Sequence, residues 1–240
     1  MSGLYDIHCH VIYGVDDGAR DASESDEMFK KALMQGIDTI IATPHFRHEM
    51  FDYPVDLIDK RYAELKNKAA ENGITLYIGC EYHVNSDITD DIKNARVHTL
   101  CDTRYVLCEF SYLTEYEYIR KYVSELVSNG YIPIIAHAER YKVFEDDVFA
   151  LTEIKDLGAR VQVNADSVIG ESKNILKKTS RNMLKHNLAD FVASDAHGID
   201  FRPNHMGKCY KFVSKKYSAE YADLLFKENP KKITDAYVKA

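Results

Sequence analysis

The chain has 240 residues, of which 45% are hydrophobic and 29% are charged, and its formal net charge at pH 7 is −7. This length and apolar content can bury a substantial core, and we expect residues 1–240 to form a single domain. The negative charge argues against a nucleic-acid-binding protein with a basic surface. No apolar stretch approaches the ~20 residues of a membrane span and no signal peptide is evident, so we expect a cytoplasmic protein without membrane insertion.

Strand-like and helix-like segments alternate along the chain. In order, the pattern predicts a strand at 4–7, a helix at 20–35, a strand at 38–42, a helix at 54–72, a strand at 75–80, a short helical connection at 87–96, a strand at 104–108, a helix at 115–129, a strand at 132–136, a helix at 145–157, a strand at 160–163, a helix at 173–186, a strand at 190–194 and a helix at 218–227 that stops before Pro230. Asp21 or Ser23 can cap the first helix, and Gly36 follows it where a left-handed residue belongs.

Several predicted strands are apolar throughout rather than alternating, which is typical of a parallel sheet covered by helices. Seven strand–helix units in 240 residues favour a closed or nearly closed barrel over an open, doubly wound sheet. The predicted fold class is therefore α/β, with seven (β/α) units in a closed or nearly closed barrel. In such barrels the active site lies at the carboxyl ends of the strands.

Six of the seven predicted strands end on a histidine or an acidic residue. His8 and His10 lie two apart on an extended strand, so both face one side and Cys9 faces the other. The remaining residues are His45, Glu81, Glu109, His137, Asp195 and His197, with Asp16 and Asp17 in a turn after the first strand. One such residue alone is more often structural, but this repetition indicates a shared metal centre.

Imidazoles mixed with carboxylates suit Mn²⁺, Zn²⁺ or Fe²⁺ better than Mg²⁺ or Ca²⁺, which favour oxygen ligands. About nine ligands exceed what one ion can use. The sequence therefore predicts two or three divalent ions, with Glu81 as the natural bridging carboxylate.

Two arginines follow predicted ligands in loops on the same side of the barrel, Arg140 after His137 and Arg202 after His197. Guanidinium groups bind phosphate oxygens through paired donors, and clustered metal ions are a device for hydrolysis. None of the five cysteines has an arginine six residues later, and none forms a C-x-x-C pair. We therefore expect reduced thiols, no cysteine-nucleophile phosphatase loop, and hydrolysis of a phosphate ester by a metal-activated water.

The same residues fall in motifs of a known superfamily. The motifs are D-I-H-C-H at 6–10, D-D-G at 16–18, T-P-H at 43–45, G-C-E at 79–81, C-E-F at 108–110, I-A-H-A-E-R at 135–140 and S-D-A-H at 194–197. From about residue 4 to residue 232 the chain resembles the polymerase-and-histidinol-phosphatase (PHP) superfamily, and within it the bacterial manganese-dependent protein-tyrosine phosphatases of capsule and exopolysaccharide operons.

The resemblance implies a distorted (β/α)7 TIM-like barrel of the PHP type with three metal ions, Mn²⁺ first and Zn²⁺ or Fe²⁺ as alternatives. The implied ligand groups are His8, His10, Glu81 and Asp195 for one ion, Glu81, Glu109 and His137 for a second, and His45, His197 and an aspartate of the D-D-G turn for a third. Asp17 is favoured over Asp16, although the spacing leaves both open. Arg140 and Arg202 match the phosphate-binding arginines of the family.

The implied substrate is phosphotyrosine on the C-terminal tail of a bacterial tyrosine kinase that regulates capsule or exopolysaccharide synthesis. A phenolate, whose conjugate acid has a pKa near ~10, leaves readily without a strong general acid. The alternatives are a histidinol-phosphate or other small-molecule phosphatase and a non-catalytic PHP module. Glu109 and the Arg202–Pro203 stretch favour the tyrosine phosphatase. In the loop at 46–53, His48, Phe51 and Tyr53 either flank an aromatic substrate or pack the loop itself.

Overall fold

The centre of the molecule is a set of parallel strands. In the computed structural model, which describes residues 2–237, the strands are β1 (Leu4–Cys9), β2 (Ile37–Ala42), β3 (His45–Phe46), β4 (Thr75–Ile78), β5 (Glu81–His83), β6 (Tyr105–Glu109), β7 (Ile132–Ile135), β8 (Arg160–Asn164) and β9 (Phe191–Ala193). They form a three-stranded sheet, β1-β2-β4, and a six-stranded sheet, β3-β5-β6-β7-β8-β9. Every strand pairing in these sheets is parallel.

The end of the last strand returns to the first strand. The backbone N–H of Asp195 donates to the carbonyl of His8, and the N–H of His10 donates to the carbonyl of Ala196, each at 2.9 Å. The parallel strands are therefore curled, so that the carboxyl ends of β1 and β9 lie side by side. This arrangement confirms the α/β class and the parallel sheet expected from the apolar strands.

Two of the predicted strands are each followed, after a break of two residues, by a further short strand that the sequence pattern did not predict. The second strand ends at Ala42 and resumes at His45, because Pro44 has no N–H to donate to a neighbouring strand. The third, predicted as one strand over 75–80, ends at Ile78 and resumes at Glu81. Between them Gly79 passes so close to Leu100 that a Cβ there would lie 2.6 Å from the Cδ2 atom of Leu100. Each break comes shortly before a predicted metal ligand.

Helices connect and cover the strands. They are α1 (Ala22–Met34), α2 (Val55–Glu71), α3 (Ile88–Lys93), α4 (Tyr116–Ser128), α5 (Lys142–Asp146), α6 (Ala150–Asp156), α7 (Ala165–Ile169), α8 (Asn174–Lys185), α9 (Met206–Lys216), α10 (Ala219–Asp223) and α11 (Asn229–Asp235), with a π-helical segment at Leu224–Glu228. Asp21 caps α1 by accepting the N–H groups of Ser23 and Glu24, both at 3.0 Å. Gly36 has a φ of 87°, as predicted for the residue after this helix. None of the helices described combines the length and apolarity needed to span a bilayer.

Two helix predictions are wrong. The segment predicted as one helix over 145–157 is two short helices, α5 and α6, because Asp147 between them has an extended backbone. The helix predicted to stop before Pro230 continues through the π-helical segment into α11, where Pro230 occupies the first turn. A missing N–H costs little in that position. The pattern also misses two helices, α7 after β8 and α9 after the Arg202 loop.

Cys9 faces the helices and not the histidines on either side of it, as predicted. Its side chain lines a small cavity with Met28 and Ala32 of α1 and Ile40 of β2. The pairing of β1 with β2 shifts register between Asp6 and Cys9, an irregularity of the kind that re-aims side chains at the end of a strand. The end of β1 therefore has one apolar face and one polar face.

Candidate metal centre

The carboxyl ends of the strands bring the predicted ligands together in one buried cluster. Three groups have ligand atoms that all lie within 4.8 Å of one another: His10, Asp17, His45 and His197; His8, His10, Glu81 and Asp195; and His45, Glu81 and Glu109. The second group is the one that the resemblance implies for a single ion. In the third group, His45 stands where the resemblance implies His137.

Glu81 is the centre of this cluster and is completely buried. Its Oε2 atom lies 3.0 Å from Nε2 of His8, 3.2 Å from Nε2 of His10 and 3.1 Å from Nδ1 of His45. Its Oε1 atom lies 2.7 Å from Nε2 of His137, which is also 3.8 Å from Oε1 of Glu109. One carboxylate therefore touches four imidazoles, which is the position that a bridging ligand requires.

Several buried polar atoms of the cluster form no contact with hydrogen-bond geometry among the residues described, although most of them approach other ligand atoms closely. They are Nδ1 of His45, Oε2 of Glu81, Oε2 of Glu109 and Oδ1 of Asp195. A buried carboxylate oxygen left without a partner is costly. Because all four atoms converge on the same space and form a mixed nitrogen and oxygen donor set, the residues present fit divalent transition-metal ions.

Gln162 of β8 contacts His8 and His137 on the side away from the ligand cluster and so orients both residues. The side-chain oxygen of Gln162 lies 3.2 Å from Nδ1 of His8 and accepts the backbone N–H of His137 at 2.9 Å. Since that oxygen only accepts hydrogen bonds, Nδ1 of His8 donates to it, and Nε2 is the ring nitrogen that faces the cluster. Tyr141 acts in the same way, because its hydroxyl lies 3.3 Å from Nδ1 of His137 and donates to the carbonyl of Ala136.

The two aspartates of the D-D-G turn have different surroundings. Asp16 is a hydrogen-bond acceptor: its Oδ2 atom lies 2.8 Å from Nδ1 of His10 and accepts the N–H of His45 at 2.9 Å. Asp17 faces the cluster, with Oδ1 at 3.5 Å from Nε2 of His45 and 3.4 Å from Nε2 of His197. The geometry therefore favours Asp17 as a ligand and Asp16 as the residue that orients His10.

Burial and neighbouring charges set the protonation of the candidate ligands, and for several of them they favour the form that binds metal. Burial lowers the pKa of His45 to about 4, and burial together with Arg140 lowers the pKa of His137 to about 4. Both rings are therefore neutral near pH 7. Although burial alone would raise the pKa of Glu81, His8 and His45 hold it well below its ordinary value. Three groups are exceptions. Burial and the charge of Glu81 raise the pKa of Glu109 to about 8. Although burial alone would lower the pKa values of His8 and His10, the carboxylates beside them, Glu81 and Asp195 for His8 and Asp16 for His10, raise both above the ordinary value.

Both predicted arginines lie at the edge of the cluster and share one carboxylate. The Oδ2 atom of Asp195 accepts Arg140 at 2.9 Å and Arg202 at 2.6 Å. It also accepts the side-chain amide of Asn164 at 2.7 Å. The arginine side chains keep 35% and 29% of their surface exposed, so donors remain for a ligand at the mouth of the cluster.

A cleft of about 210 Å³ opens onto these residues. One wall consists of Arg47, Met50 and Phe51 from the loop after β3. Phe51 stacks on the ring of His45, with centroids 5.2 Å apart and planes 8° apart. Tyr53 does not face the cleft: it is buried, and its hydroxyl donates to the carbonyl of Gly79. The sequence leaves open whether these residues flank the substrate or pack the loop. Tyr53 packs the loop, whereas Phe51 lines the cleft.

Sequence reasoning missed the residues that support the ligands, notably Gln162, Asn164 and Tyr141. A signal was present for two of them. In the segment R-V-Q-V-N of β8, the polar residues alternate with valines, so Gln162 and Asn164 share one face of a strand between apolar neighbours. A buried strand that places two amides on one face indicates a hydrogen-bonding task.

Comparison with known proteins identifies the family. The model of the family described as "Capsular polysaccharide synthesis, CpsB/CapC" matches residues 4–235. The chain belongs to the CpsB/CapC family. This match confirms the resemblance to the phosphatases of capsule operons that the motifs predict.

Relatives in this family are similar along nearly the whole chain. Tyrosine-protein phosphatase CpsB of Streptococcus pneumoniae is 35% identical over 237 residues, covering 96% of this chain and 98% of that protein. Tyrosine-protein phosphatase YwqE of Bacillus subtilis is 32% identical over 224 residues, covering 92% and 88%.

Comparison with solved structures shows the same similarity. One chain from the crystal structures of YwqE and CpsB, described as unique metal-dependent tyrosine phosphatases, superposes with a TM-score of 0.87 at 30% identity, covering 98% of this chain and 94% of that chain. A mutant organophosphorus hydrolase from Deinococcus radiodurans reaches a TM-score of 0.66 at 12% identity, covering 96% and 92%. That second likeness shows the fold alone.

Proposed function

We propose that this chain is a metal-dependent tyrosine-protein phosphatase that hydrolyses phosphotyrosine. The observation that carries the proposal is the position of Glu81 at the centre of overlapping ligand groups, next to two arginines that line the same cleft. The names of the CpsB and YwqE relatives support the reaction.

We propose that the cluster holds two or three divalent ions, Mn²⁺ in the first place and Zn²⁺ or Fe²⁺ as alternatives. The proposed ligands are His8, His10, Asp17, His45, Glu81, Glu109, His137, Asp195 and His197. When bound, such ions supply Lewis-acid polarisation and lower the pKa of a water molecule. The buried donor atoms that form no contact with hydrogen-bond geometry among the residues described support this assignment.

The chain's own residues then bind and orient the phosphate ester. Asp195 holds Arg140 and Arg202 side by side, so their free N–H groups can donate to the non-bridging phosphate oxygens. Phe51 lines the cleft, and the tyrosyl ring would lie beside it. A tyrosine phenolate leaves with a conjugate-acid pKa near ~10, so the site needs no strong proton donor.

We further propose the biological setting. The substrate would be the tyrosine-phosphorylated C-terminal tail of a bacterial kinase that regulates capsule or exopolysaccharide synthesis, in the cytoplasm. The capsular polysaccharide description of the family supports this setting. We also propose that residues 1–240 form one domain, a distorted (β/α)7 barrel of the PHP type. The nine strands are compatible with seven units, because β3 follows β2 and β5 follows β4 without an intervening helix, so each of these two pairs counts as one unit.

The experiment is a side-by-side turnover assay of the manganese-loaded protein. One substrate is a tyrosine-phosphorylated kinase-tail peptide and the other is histidinol phosphate. We expect a clear preference for the peptide in kcat/KM. Preference for histidinol phosphate would replace the proposal by a small-molecule phosphatase, and turnover of neither substrate with metals bound would indicate a non-catalytic module.

A further inference from the structure

A second cavity adjoins the metal cleft and shares Arg140 with it. This cavity, which we call the flanking groove, has a volume of about 620 Å³ and is lined by Tyr112, Arg140, Glu145, Lys173, Ile175 and Leu176, among others. The metal cleft measures only about 210 Å³, whereas ligand sites usually occupy about 300–1,000 Å³. A phosphotyrosine within a polypeptide must therefore extend beyond the cleft.

The flanking groove presents an apolar wall to solvent. The exposed fraction is 50% for Tyr112 and 43% for Ile175. Tyr112 is held in place, because its hydroxyl donates to Glu145 at 3.1 Å and its carbonyl accepts the N–H of Lys142 at 2.9 Å. Exposed apolar side chains grouped beside a polar site mark a surface for a ligand.

The charges in the flanking groove favour an acidic partner. Arg140, at the border with the metal cleft, is paired with Asp195 at 2.9 Å, and the Glu145 carboxylate accepts the hydroxyl of Tyr112. The ammonium group of Lys173 is therefore the charge that the flanking groove offers to a ligand, on a chain whose net charge is −7. Another cavity, which shares Asp17 with the metal cleft, has a different character, because its lining includes Asp17, Glu24 and Asp200 and one arginine, Arg20.

A third cavity near the strand ends, lined by His83, Phe110 and Tyr118, shares none of its lining residues with the metal cleft. The flanking groove is therefore the neighbouring surface that combines continuity with the cleft, an apolar wall and positive charge.

We infer that the flanking groove binds the peptide segment next to the phosphotyrosine, with an apolar side chain against Ile175 and Leu176 and a carboxylate beside Lys173. The inference rests on the proposed tyrosine phosphatase function and specifies its substrate class. Lys173 and Ile175 are specificity residues outside the hydrolytic site, so they act on peptide substrates and not on free phosphotyrosine.

The test compares Lys173→Glu with the wild-type protein on three substrates. These are free phosphotyrosine, the peptide Ala-Leu-Glu-pTyr-Glu-Leu-Ala, and the same peptide with lysine in place of both glutamates. Lys185→Glu is the matched control, because it makes the same charge change on an exposed residue at the far end of α8. Ile175→Asn tests the apolar wall with the first peptide and with a version in which alanine replaces both leucines.

We expect Lys173→Glu to lower kcat/KM for the glutamate peptide about fivefold. It should raise kcat/KM for the lysine peptide and leave the turnover of free phosphotyrosine unchanged. Ile175→Asn should affect only the leucine peptide, and Lys185→Glu should match the wild-type protein on every substrate. If the groove variants change all substrates equally, or none, the inference is wrong while the phosphatase function stands. If the wild-type protein hydrolyses none of the substrates, the proposed function itself fails.

Discussion

The side-chain oxygen of Gln162 lies 3.2 Å from Nδ1 of His8, at the opposite end of the ring from the nitrogen that faces Glu81. The same oxygen accepts the N–H of His137, and the amide nitrogen of Gln162 donates to Asn164 at 2.7 Å. Asn164 in turn donates to Asp195. One strand without a proposed ligand of its own therefore orients ligands from three other strand ends.

Replacing Gln162 by leucine should lower the affinity for metal about 10–100-fold, the usual cost of losing a group that orients a ligating histidine. Titration of the metal-free protein with Mn²⁺ measures this change. Gln162→Glu is the control, because it keeps the acceptor oxygen for His8 and should recover much of the affinity. Wild-type affinity in the leucine variant would show that β8 does not orient the ligands.

Replacing Arg140 by alanine should leave the metal content unchanged and lower kcat on phosphate esters roughly 100-fold. The metal stays because Arg202 and Asn164 still hold Asp195, and the rate falls because donors to the transferred phosphoryl group are lost. Metal analysis and steady-state kinetics on one preparation check both parts. Arg140→Lys keeps the positive charge without the paired donors, so its kcat should lie between those of the wild-type protein and the alanine variant. Wild-type kinetics in the alanine variant would remove the role assigned to Arg140.

Metal binding should release a proton from Glu109. In the metal-free protein the pKa of this carboxyl is raised to about 8, so near pH 7 it is largely protonated, and a ligand must be deprotonated. The apparent affinity of the site that uses Glu109 should therefore rise about tenfold per pH unit below pH 8 and level off above it. Calorimetric titration in buffers of different ionisation enthalpy counts the protons released. Glu109→Gln should release one proton fewer, and equal proton release in both proteins would contradict the assignment.

Replacing Cys9 by serine should leave turnover within about twofold of wild type, because the thiol lies among apolar side chains on the helix side of β1. A serine hydroxyl there costs stability, about 1–3 kcal/mol if it finds no partner. Thermal unfolding should therefore detect the substitution while the kinetics do not. Loss of activity in a folded variant with full metal content would show that the Cys9 side chain faces the metal cluster and not the helices.

The ligand cluster could be predicted because it depends on a simple regularity. Apolar runs that end on His8, His45, Glu81 or Asp195 place those side chains at one edge of a parallel sheet, wherever the intervening helices lie. The supporting network could not be located in this way, because Gln162 lies within a strand and its partners are far away in sequence. Pro230 misled the prediction of a helix end, since its effect depends on where the first turn of α11 begins.

The measurement that tests the account most directly is turnover of a tyrosine-phosphorylated peptide as the metal content is varied. The protein is assayed as loaded with Mn²⁺, then after removal of metal by excess EDTA, and again after Mn²⁺ is restored. His137→Ala, which should lose both metal and activity, is measured in parallel. We predict that the wild-type protein loses its activity when the metal is removed and regains it when Mn²⁺ is restored. The His137→Ala variant should stay inactive throughout. Full turnover in excess EDTA, with metal confirmed absent, would contradict the metal-dependent mechanism.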